Sequence, residues 1–105
     1  LAVVRVHLLG ADGQRDVAAA HDEFMTARGY GKEKRLYAHG QGYDLVERPL
    51  IREDETMALA AGMNLAVHPG FETPQIFAVI CDNYLIGKDG PGECLHKTPK
   101  KVFEL

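Results

Sequence analysis

The sequence predicts an α+β domain, with helices packed on one face of a curved, mainly antiparallel sheet. Residues 14–28 repeat apolar side chains with the period of a helix, and residues 63–68 alternate apolar and polar side chains as a half-buried strand does. A second strand candidate, residues 76–86, is followed by a turn at residues 88–92 and a short return strand at residues 93–96, the pattern of a hairpin. The 105 residues are sufficient for one small domain, and no repeat or linker divides them.

Composition excludes several classes of protein. With 46% hydrophobic and 26% charged residues, the chain is expected to fold rather than to be disordered. Its net charge of −3 gives no electrostatic reason to expect nucleic acid or an anionic membrane as a partner. No apolar run approaches the roughly 20 residues of a membrane span, and the sequence has no pattern of a signal peptide. The two cysteines, Cys81 and Cys94, favour reduced thiols in a cytoplasmic protein over a disulfide.

The N-terminal third is predicted to be mainly helical. The chain starts within an apolar segment, residues 1–9, whose β-branched content favours a strand. The helix at residues 14–28 is predicted to have Asp12 as its N-cap and to end at Gly29. His21 lies near the apolar stripe of this helix and is expected to be a partly exposed histidine. The stripe consists of Val17, Ala20, Phe24 and Met25.

The middle of the chain is predicted to be less regular. Residues 29–35 are expected to form a polar turn, and residues 49–55 an irregular surface loop. Thr56 is expected to cap a short helical turn over residues 57–61, which Gly62 ends.

The two strand candidates divide their side chains between two faces of the sheet. The strand at residues 63–68 alternates regularly, whereas the strand at residues 76–86 is predicted to kink near residues 82–83. In the first strand, the side chains expected to face the helices are Met63, Leu65 and Val67, and those expected to face the cleft are Asn64, Ala66 and His68.

Three stretches carry the candidate chemistry. Residues 37–49 read Tyr-Ala-His-Gly-Gln-Gly-Tyr-Asp-Leu-Val-Glu-Arg-Pro, where the glycines beside the histidine allow a sharp turn and a close approach to a bound group. Residues 61–70 read Ala-Gly-Met-Asn-Leu-Ala-Val-His-Pro-Gly, and residues 80–82 read Ile-Cys-Asp, with Lys-Asp-Gly-Pro following at residues 88–91. In this order and spacing, the stretches resemble the C-terminal half of the pita-bread metallopeptidases, the family of Xaa-Pro aminopeptidase, prolidase, methionine aminopeptidase and the metal-free creatinase.

The resemblance extends from Asp16 to the C-terminus. It implies that residues 1–105 are a single partial domain, the C-terminal portion of a pita-bread catalytic domain, and that residues 1–9 end a helix rather than form a strand. It also implies that an N-terminal part of the same protein completes the domain. Because relatives are often dimers, the resemblance leaves a homodimer open.

The resemblance further implies a degenerate metal site. In the peptidases, two Asp, one His and two Glu side chains hold two metal ions, which generate the hydroxide that attacks the peptide bond. The metal-binding His matches His39, whereas His68 and Cys81 take the two Glu positions and Val46 takes the position of the transition-state His. The two Asp positions belong to the upstream part. Because neither an imidazole nor a thiolate replaces a bridging carboxylate, no metal or one zinc ion is more expected than the dinuclear manganese or cobalt site of the family.

Three interpretations of function follow. The first is a hydrolase, similar to creatinase, that breaks a C–N bond in a small polar molecule or short peptide without metal, with His39 and His68 as catalytic acid–base groups. The second is a changed site in which His39, His68 and Cys81 bind one zinc ion. The third is a pseudoenzyme that keeps the fold for binding or assembly. The first two require His39 and His68 to converge within about 8 Å on the concave face of the sheet, and Cys81 reaches them only if a kink or bulge turns it away from its apolar neighbours.

Overall fold

A computed structural model describes residues 14–105, and it describes all of their side chains except those of residues 14–16 and 91. The predictions for residues 1–9 and for the N-cap Asp12 lie outside the described residues. The described part contains one helix, α1 (Gln14–Thr26), and seven strands. The strands are β1 (Ala38–Gly40), β2 (Glu47–Leu50), β3 (Asn64–Val67), β4 (Gly70–Glu72), β5 (Phe77–Val79), β6 (Asp82–Gly87) and β7 (Gly90–Cys94). At 13 residues, α1 is neither long nor apolar enough to cross a membrane.

Five of the strands form one antiparallel sheet in the order β2-β1-β3-β6-β7. The remaining strands, β4 and β5, pair only with each other as a separate antiparallel hairpin that leaves the main sheet after β3. The α+β class and the mainly antiparallel sheet are therefore confirmed.

The pairing register gives the main sheet two different faces. Ala38 pairs with Val67, and Leu65 pairs with Tyr84, so these side chains share one face, which packs with α1 in a single hydrophobic core. The full core consists of Val17, Ala18, Tyr37, Ala38, Ile51, Leu65, Val67, Tyr84 and Ile86. Each fully buried aliphatic side chain of this core contributes roughly 1.5–3 kcal/mol of transfer free energy. The opposite face carries the alternating residues of the same strands, as the sequence of residues 63–68 predicts.

The inner face of α1 is shifted from the predicted stripe, and His21 is buried rather than partly exposed. Val17 and Ala18 enter the core, and His21, one turn further along, stacks on the ring of Tyr37 at a centroid distance of 4.3 Å. The Tyr37 hydroxyl donates to the Val17 carbonyl at 3.0 Å. His21 is therefore buried because it packs on the ring of Tyr37. Tyr37 lies outside the helix, so the sequence of the helix alone does not predict this burial.

The C-terminal end of α1 follows the prediction closely. The helix ends two residues earlier than predicted, and Gly29 follows with a positive φ of 80°. The Tyr30 amide donates to the Met25 carbonyl at 3.0 Å, the bond that closes a helix end around a left-handed glycine.

The predicted helical turn at residues 57–61 is wrong, because residues 55–60 have no regular secondary structure and only a turn follows at residues 61–62. The carboxylate of Glu55 accepts hydrogen bonds from the backbone amides of Leu50, Thr56 and Met57, each at 2.8 Å. The Thr56 hydroxyl, expected to cap a helix, instead accepts from the Arg48 guanidinium at 3.1 Å. One buried carboxylate thus satisfies three backbone amides of this irregular segment.

Two further boundaries differ from the prediction. The long strand of residues 76–86 is divided, since β5 belongs to the separate hairpin and β6 to the main sheet. Residues 70–72 form β4, and residues 47–50 are a strand where an irregular loop was expected to begin at residue 49. The return strand β7 begins at Gly90, earlier than predicted, and pairs with β6.

Candidate active site

The histidines of the two central motifs meet on the face of the sheet opposite the core. His39 is the middle residue of β1 and pairs with Ala66, while His68 lies two residues after Ala66, directly beyond the end of β3. The centroids of the two imidazole rings are 5.0 Å apart, with a tilt of 57° between their planes. The proximity expected of this pair is therefore present. What the two side chains do there stays a prediction.

His39 has one nitrogen committed to the backbone. The side chain is buried, and Nδ1 lies 2.8 Å from the carbonyl oxygen of Gly40. Because a carbonyl only accepts, Nδ1 carries the hydrogen, and in the neutral ring Nε2 keeps its lone pair. Among the described residues Nε2 has no hydrogen-bond partner, so it is available to a water, a metal ion or a substrate.

His68 is held in its neutral form by its surroundings. Burial lowers the pKa of His68 below its ordinary value, and the nearby charges of His39 and Arg35 act in the same direction. The charge of Glu33 and a backbone hydrogen bond oppose this shift. The backbone amide of His68 donates to the Tyr37 carbonyl at 2.6 Å, which ties the residue to the chain just before β1. Near neutral pH, His68 therefore offers a lone pair rather than a positive charge.

Glu33 and Arg35, two residues of the segment before β1, both contact the hairpin next to His68. The carboxylate of Glu33 accepts from the backbone amides of Arg35 and Gly70, both at 3.0 Å, and lies 3.5 Å from Nε of Arg35. The Arg35 guanidinium lies over the ring of Phe77, 4.9 Å from its centroid. These contacts form one wall of a cavity of about 460 Å³ between α1 and the hairpin. Neither His39 nor His68 lines that cavity.

A group of carboxamides continues the polar face beyond the histidines. Asn83 pairs with Ala66 across β3 and β6, so it lies on the same face as His39. Its Nδ2 donates to Oε1 of Gln41 at 2.6 Å and to Oδ1 of Asn64 at 3.1 Å. Its Oδ1 lies 2.9 Å from Nε2 of His96. Sequence reasoning missed Gln41, Asn83 and His96 as part of the site, although the alternation of residues 63–68 places Asn64 on this face.

Cys81 does not join the two histidines. It lies in the break between β5 and β6 and its side chain is exposed. Within residues 14–105, no three His, Cys, Asp or Glu side chains are grouped in a way that could hold a metal ion. The described part of the chain therefore does not group His39, His68 and Cys81 as three ligands of one metal ion.

The other carboxylates near the motifs have structural partners. Asp82 pairs with Val67, which puts it on the core side of the sheet, and its Oδ2 lies 3.0 Å from the Nζ atom of Lys100. Glu47 accepts a hydrogen bond from the backbone amide of Asp44 at 3.1 Å and so closes the loop before β2. Val46, at the position of the transition-state histidine, is half exposed in that loop and has no group that could donate a proton.

Among residues 14–105, the donors on this face differ from the bridging carboxylates that a pair of metal ions needs. Two divalent cations need bridging carboxylates, and the polar face described above supplies imidazoles and carboxamides. In residues 14–105, the face has no carboxylate that could bridge two ions.

Comparison with known proteins agrees with the motifs. The sequence profile of metallopeptidase family M24 matches residues 9–88. The structure of an Xaa-Pro dipeptidase from Bacillus anthracis superposes with a TM-score of 0.80 at 26% identity, covering 97% of this chain and 30% of that protein. An X-Pro aminopeptidase from Thermotoga maritima MSB8 superposes with a TM-score of 0.85 at 20% identity, covering 97% and 29%. A prolidase from Pyrococcus furiosus gives 0.77 at 24% identity, covering 92% and 30%. No match was found among curated protein sequences.

The matches define both the fold and its extent. The chain spans about 30% of the length of these solved structures and superposes on them over nearly all of its own length. The α+β architecture is that of the C-terminal part of the pita-bread fold, and the profile match covers well over half of the sequence. This chain belongs to metallopeptidase family M24.

Proposed function

We propose that this chain is the C-terminal part of a hydrolase that breaks a C–N bond in a small polar molecule or a short peptide without the pair of metal ions that its family uses. One observation carries the proposal. His39 and His68 lie side by side on the polar face, with ring centroids 5.0 Å apart, in positions where the family resemblance leads us to expect one metal-binding histidine and one glutamate. Two imidazoles are poor bridging ligands but effective acid–base groups.

The two rings divide the work of the reaction as follows. Nε2 of His39 has a free lone pair because Nδ1 is bonded to the Gly40 carbonyl, so His39 takes a proton from the attacking water. The hydroxide oxygen forms the new bond to the substrate carbon, and the same proton passes from His39 to the leaving nitrogen. His68, uncharged near neutral pH because burial lowers its pKa, accepts a second hydrogen bond that orients the water or the substrate.

Hydrolysis assays on the full chain test the proposal. Creatine and the dipeptide Ala-Pro serve as substrates, with product detected by mass spectrometry, in EDTA and with added manganese. We expect turnover that EDTA leaves unchanged and that His39→Gln lowers by about 100-fold or more, because general acid–base catalysis typically contributes 10²–10⁴-fold. Glu53→Gln, a substitution in the exposed loop after β2, is the matched control and retains the activity. Turnover that depends on manganese contradicts the proposal.

A second candidate rests on the free Nε2 of His39. Neutral imidazoles are good zinc ligands, and two of them from this face plus a group from outside the described residues would form a single-zinc site. Elemental analysis separates this candidate from the first, since it requires near-stoichiometric zinc and loss of turnover in EDTA. A chain that contains no zinc and hydrolyses neither substrate favours the third interpretation, a pseudoenzyme that keeps the fold for binding or assembly.

The proposal includes partners and a location. The partners are the substrate and the N-terminal part of the same protein, with a homodimer left open, and neither nucleic acid nor membrane is among them. We place the protein in the cytoplasm, which is supported by Cys81 and Cys94, both free thiols in the fold.

A further inference from the structure

Carboxamide side chains are concentrated on one small part of the polar face. The chain has five Asn and Gln residues, and three of them, Gln41, Asn64 and Asn83, are joined by hydrogen bonds. They come from three neighbouring strands or strand ends, β1, β3 and β6. A cluster of this kind on a half-exposed surface is not required by the core, which lies on the other face of the sheet.

The hydrogen bonds fix which atoms of the cluster face outward. Both hydrogens of the Asn83 amide go to oxygen atoms, one to Gln41 at 2.6 Å and one to Asn64 at 3.1 Å. The Asn83 oxygen accepts from His96, whose Nε2 is 2.9 Å away. Because the oxygens of Gln41 and Asn64 are occupied, their NH₂ groups point away from Asn83. Within residues 14–105, neither NH₂ group has an acceptor.

These free donors flank the candidate catalytic pair. Gln41 follows His39 by two residues, and Asn64 precedes Ala66, the cross-strand partner of His39, by two residues. The backbone amide of Gln41 donates to the Asn64 carbonyl at 2.9 Å, which keeps the two residues side by side. Two residues along a strand span about 7 Å. Gln41 and Asn64 are therefore displaced by about 7 Å along the strands from His39, about the length of one small molecule.

We propose that the NH₂ groups of Gln41 and Asn64 form a subsite for the carboxylate of a small-molecule ligand, and that Asn83 and His96 are the positioning residues that orient them. The inference rests on the proposed function, because the ligand's reacting bond would then lie over His39 and His68. Paired N–H donors suit the two oxygens of a planar carboxylate. The carboxamide oxygens of Gln41 and Asn64 face Asn83, so the outward-facing NH₂ groups repel a cation.

The roles of Asn83 and His96 follow from the same bonds. An aspartate at position 83 has no NH₂ group, so it cannot donate to Gln41 and Asn64, and it attracts their NH₂ groups instead. The free donors would then turn inward. His96 fixes the orientation of Asn83, and a glutamine at position 96 keeps a donor there, whereas a leucine does not.

The test is a titration of the ¹⁵N-labelled full chain with sodium acetate, with sodium chloride added to hold the ionic strength constant. The probes are the side-chain NH₂ signals in ¹H–¹⁵N spectra. We expect saturable shifts of the Gln41 and Asn64 signals, and no shift of Gln75, an exposed carboxamide in the β4–β5 turn that serves as an internal control. Asn83→Asp and His96→Leu are expected to weaken acetate binding about tenfold or more, the loss of one charge-assisted hydrogen bond. His96→Gln is expected to restore binding.

Each outcome has one meaning. Shifts that also occur at Gln75, or that Asn83→Asp leaves unchanged, overturn the subsite. Saturable shifts with ammonium chloride in place of acetate also overturn it, because they mean that the oxygens of Gln41 and Asn64 face outward. An unchanged pattern of backbone amide signals shows that each variant is folded. If acetate binds but neither substrate is hydrolysed, the subsite is upheld and the proposed activity is contradicted. If a substrate is hydrolysed, acetate does not inhibit the reaction and no NH₂ signal shifts, the proposed activity is upheld and the subsite is overturned.

Discussion

Gly40 is the position where a single added methyl group should have the largest effect on the site. A Cβ atom there would lie 2.5 Å from the Arg48 carbonyl oxygen and 2.9 Å from both the Arg48 carbonyl carbon and the Glu47 carbonyl oxygen. All three atoms are backbone of β2, which pairs with β1 at this point. Because backbone cannot move to another rotamer, Gly40→Ala must push the two strands apart.

The expected cost is at the upper end of overpacking, about 3 kcal/mol in the free energy of unfolding. For a domain of this length, 1 kcal/mol corresponds to a Tm shift of roughly 4–8 °C, so Tm should fall by more than about 10 °C. The Gly40 carbonyl also accepts the hydrogen of His39 Nδ1, so the separation should release the ring of His39. Urea denaturation and a thermal scan followed by circular dichroism measure the loss of stability.

Gly31→Ala is the matched control. Gly31 has no atom within 4 Å of the added Cβ, and its φ is outside the left-handed region. Its replacement should change the free energy of unfolding by less than about 1 kcal/mol, in the stabilising direction, because alanine restricts the unfolded chain. A Gly40→Ala variant with the same Tm as Gly31→Ala would refute the close approach of β1 and β2 on which the geometry of His39 depends.

Three further predictions concern charged groups. The Arg48 guanidinium and three backbone amides hold the pKa of Glu55 far below its usual range, so Glu55→Gln should lower the free energy of unfolding at neutral pH. The difference in urea midpoint between the variant and the unchanged chain should shrink as the pH falls below about 4.3. Lys100→Met leaves the buried carboxylate of Asp82 without its cation and should lower the free energy of unfolding by about 1 kcal/mol, a modest amount because Lys100 is partly exposed. The decrease should be smaller when Asp82→Asn is already present, and an additive double mutant would argue against the ion pair. Since the folded state lowers the pKa of His68, its ring should titrate below about 6.5 by NMR. Protonation of His68 should then lower the free energy of unfolding as the pH drops through the pKa that this residue has in the unfolded chain. A titration midpoint at or above 6.5 would contradict the neutral ring assumed for the site.

The parts of the fold that the sequence predicted are those where local pattern and tertiary contact agree. Leu65 and Val67 alternate with Asn64 and Ala66, and the sheet buries the apolar set because one face must pack on α1. Gly29 has the positive φ that glycine adopts readily, so the helix end could be placed within a few residues.

The errors have a common physical cause, which is a distant partner that local sequence does not reveal. Residues 57–61 have good helix formers, but the segment before them is tied to β2, because the Glu55 carboxylate accepts from the Arg48 guanidinium and from the Leu50 amide. Residues 76–86 contain no glycine or proline to mark a break, and the break arises because residues 77–79 pair with residues 70–72 instead of the main sheet. His21 is buried by Tyr37, which lies outside the helix.

The candidate site was predictable only where the family motif names a residue. The histidines could be found because position and residue type both stand out in the resemblance. The carboxamide cluster could not, because Gln41 and His96 are ordinary polar residues 55 positions apart in sequence, and only the pairing of β1, β3, β6 and β7 brings them to Asn83. The alternation of residues 63–68 places Asn64 on the polar face, but it does not predict the hydrogen bonds that orient the Asn64 side chain.

The replacement of two glutamates changes the electrostatics of this face, and the remaining residues are consistent with that change. The family resemblance places His68 and Cys81 at the positions of two glutamates, so this chain lacks two formal negative charges there. In the family, those glutamates help to balance the four positive charges of two divalent metal ions. An imidazole with a lowered pKa adds no charge in their place, and Cys81 is exposed in the break between β5 and β6. Because residues 14–105 group no carboxylate with the two histidines to hold a metal ion, neutral N–H donors and imidazole lone pairs become the strongest groups on this face. Such a surface binds oxygen atoms and transfers protons better than it holds divalent metal ions, which is why the proposed activity and the carboxylate subsite both avoid a step through a metal.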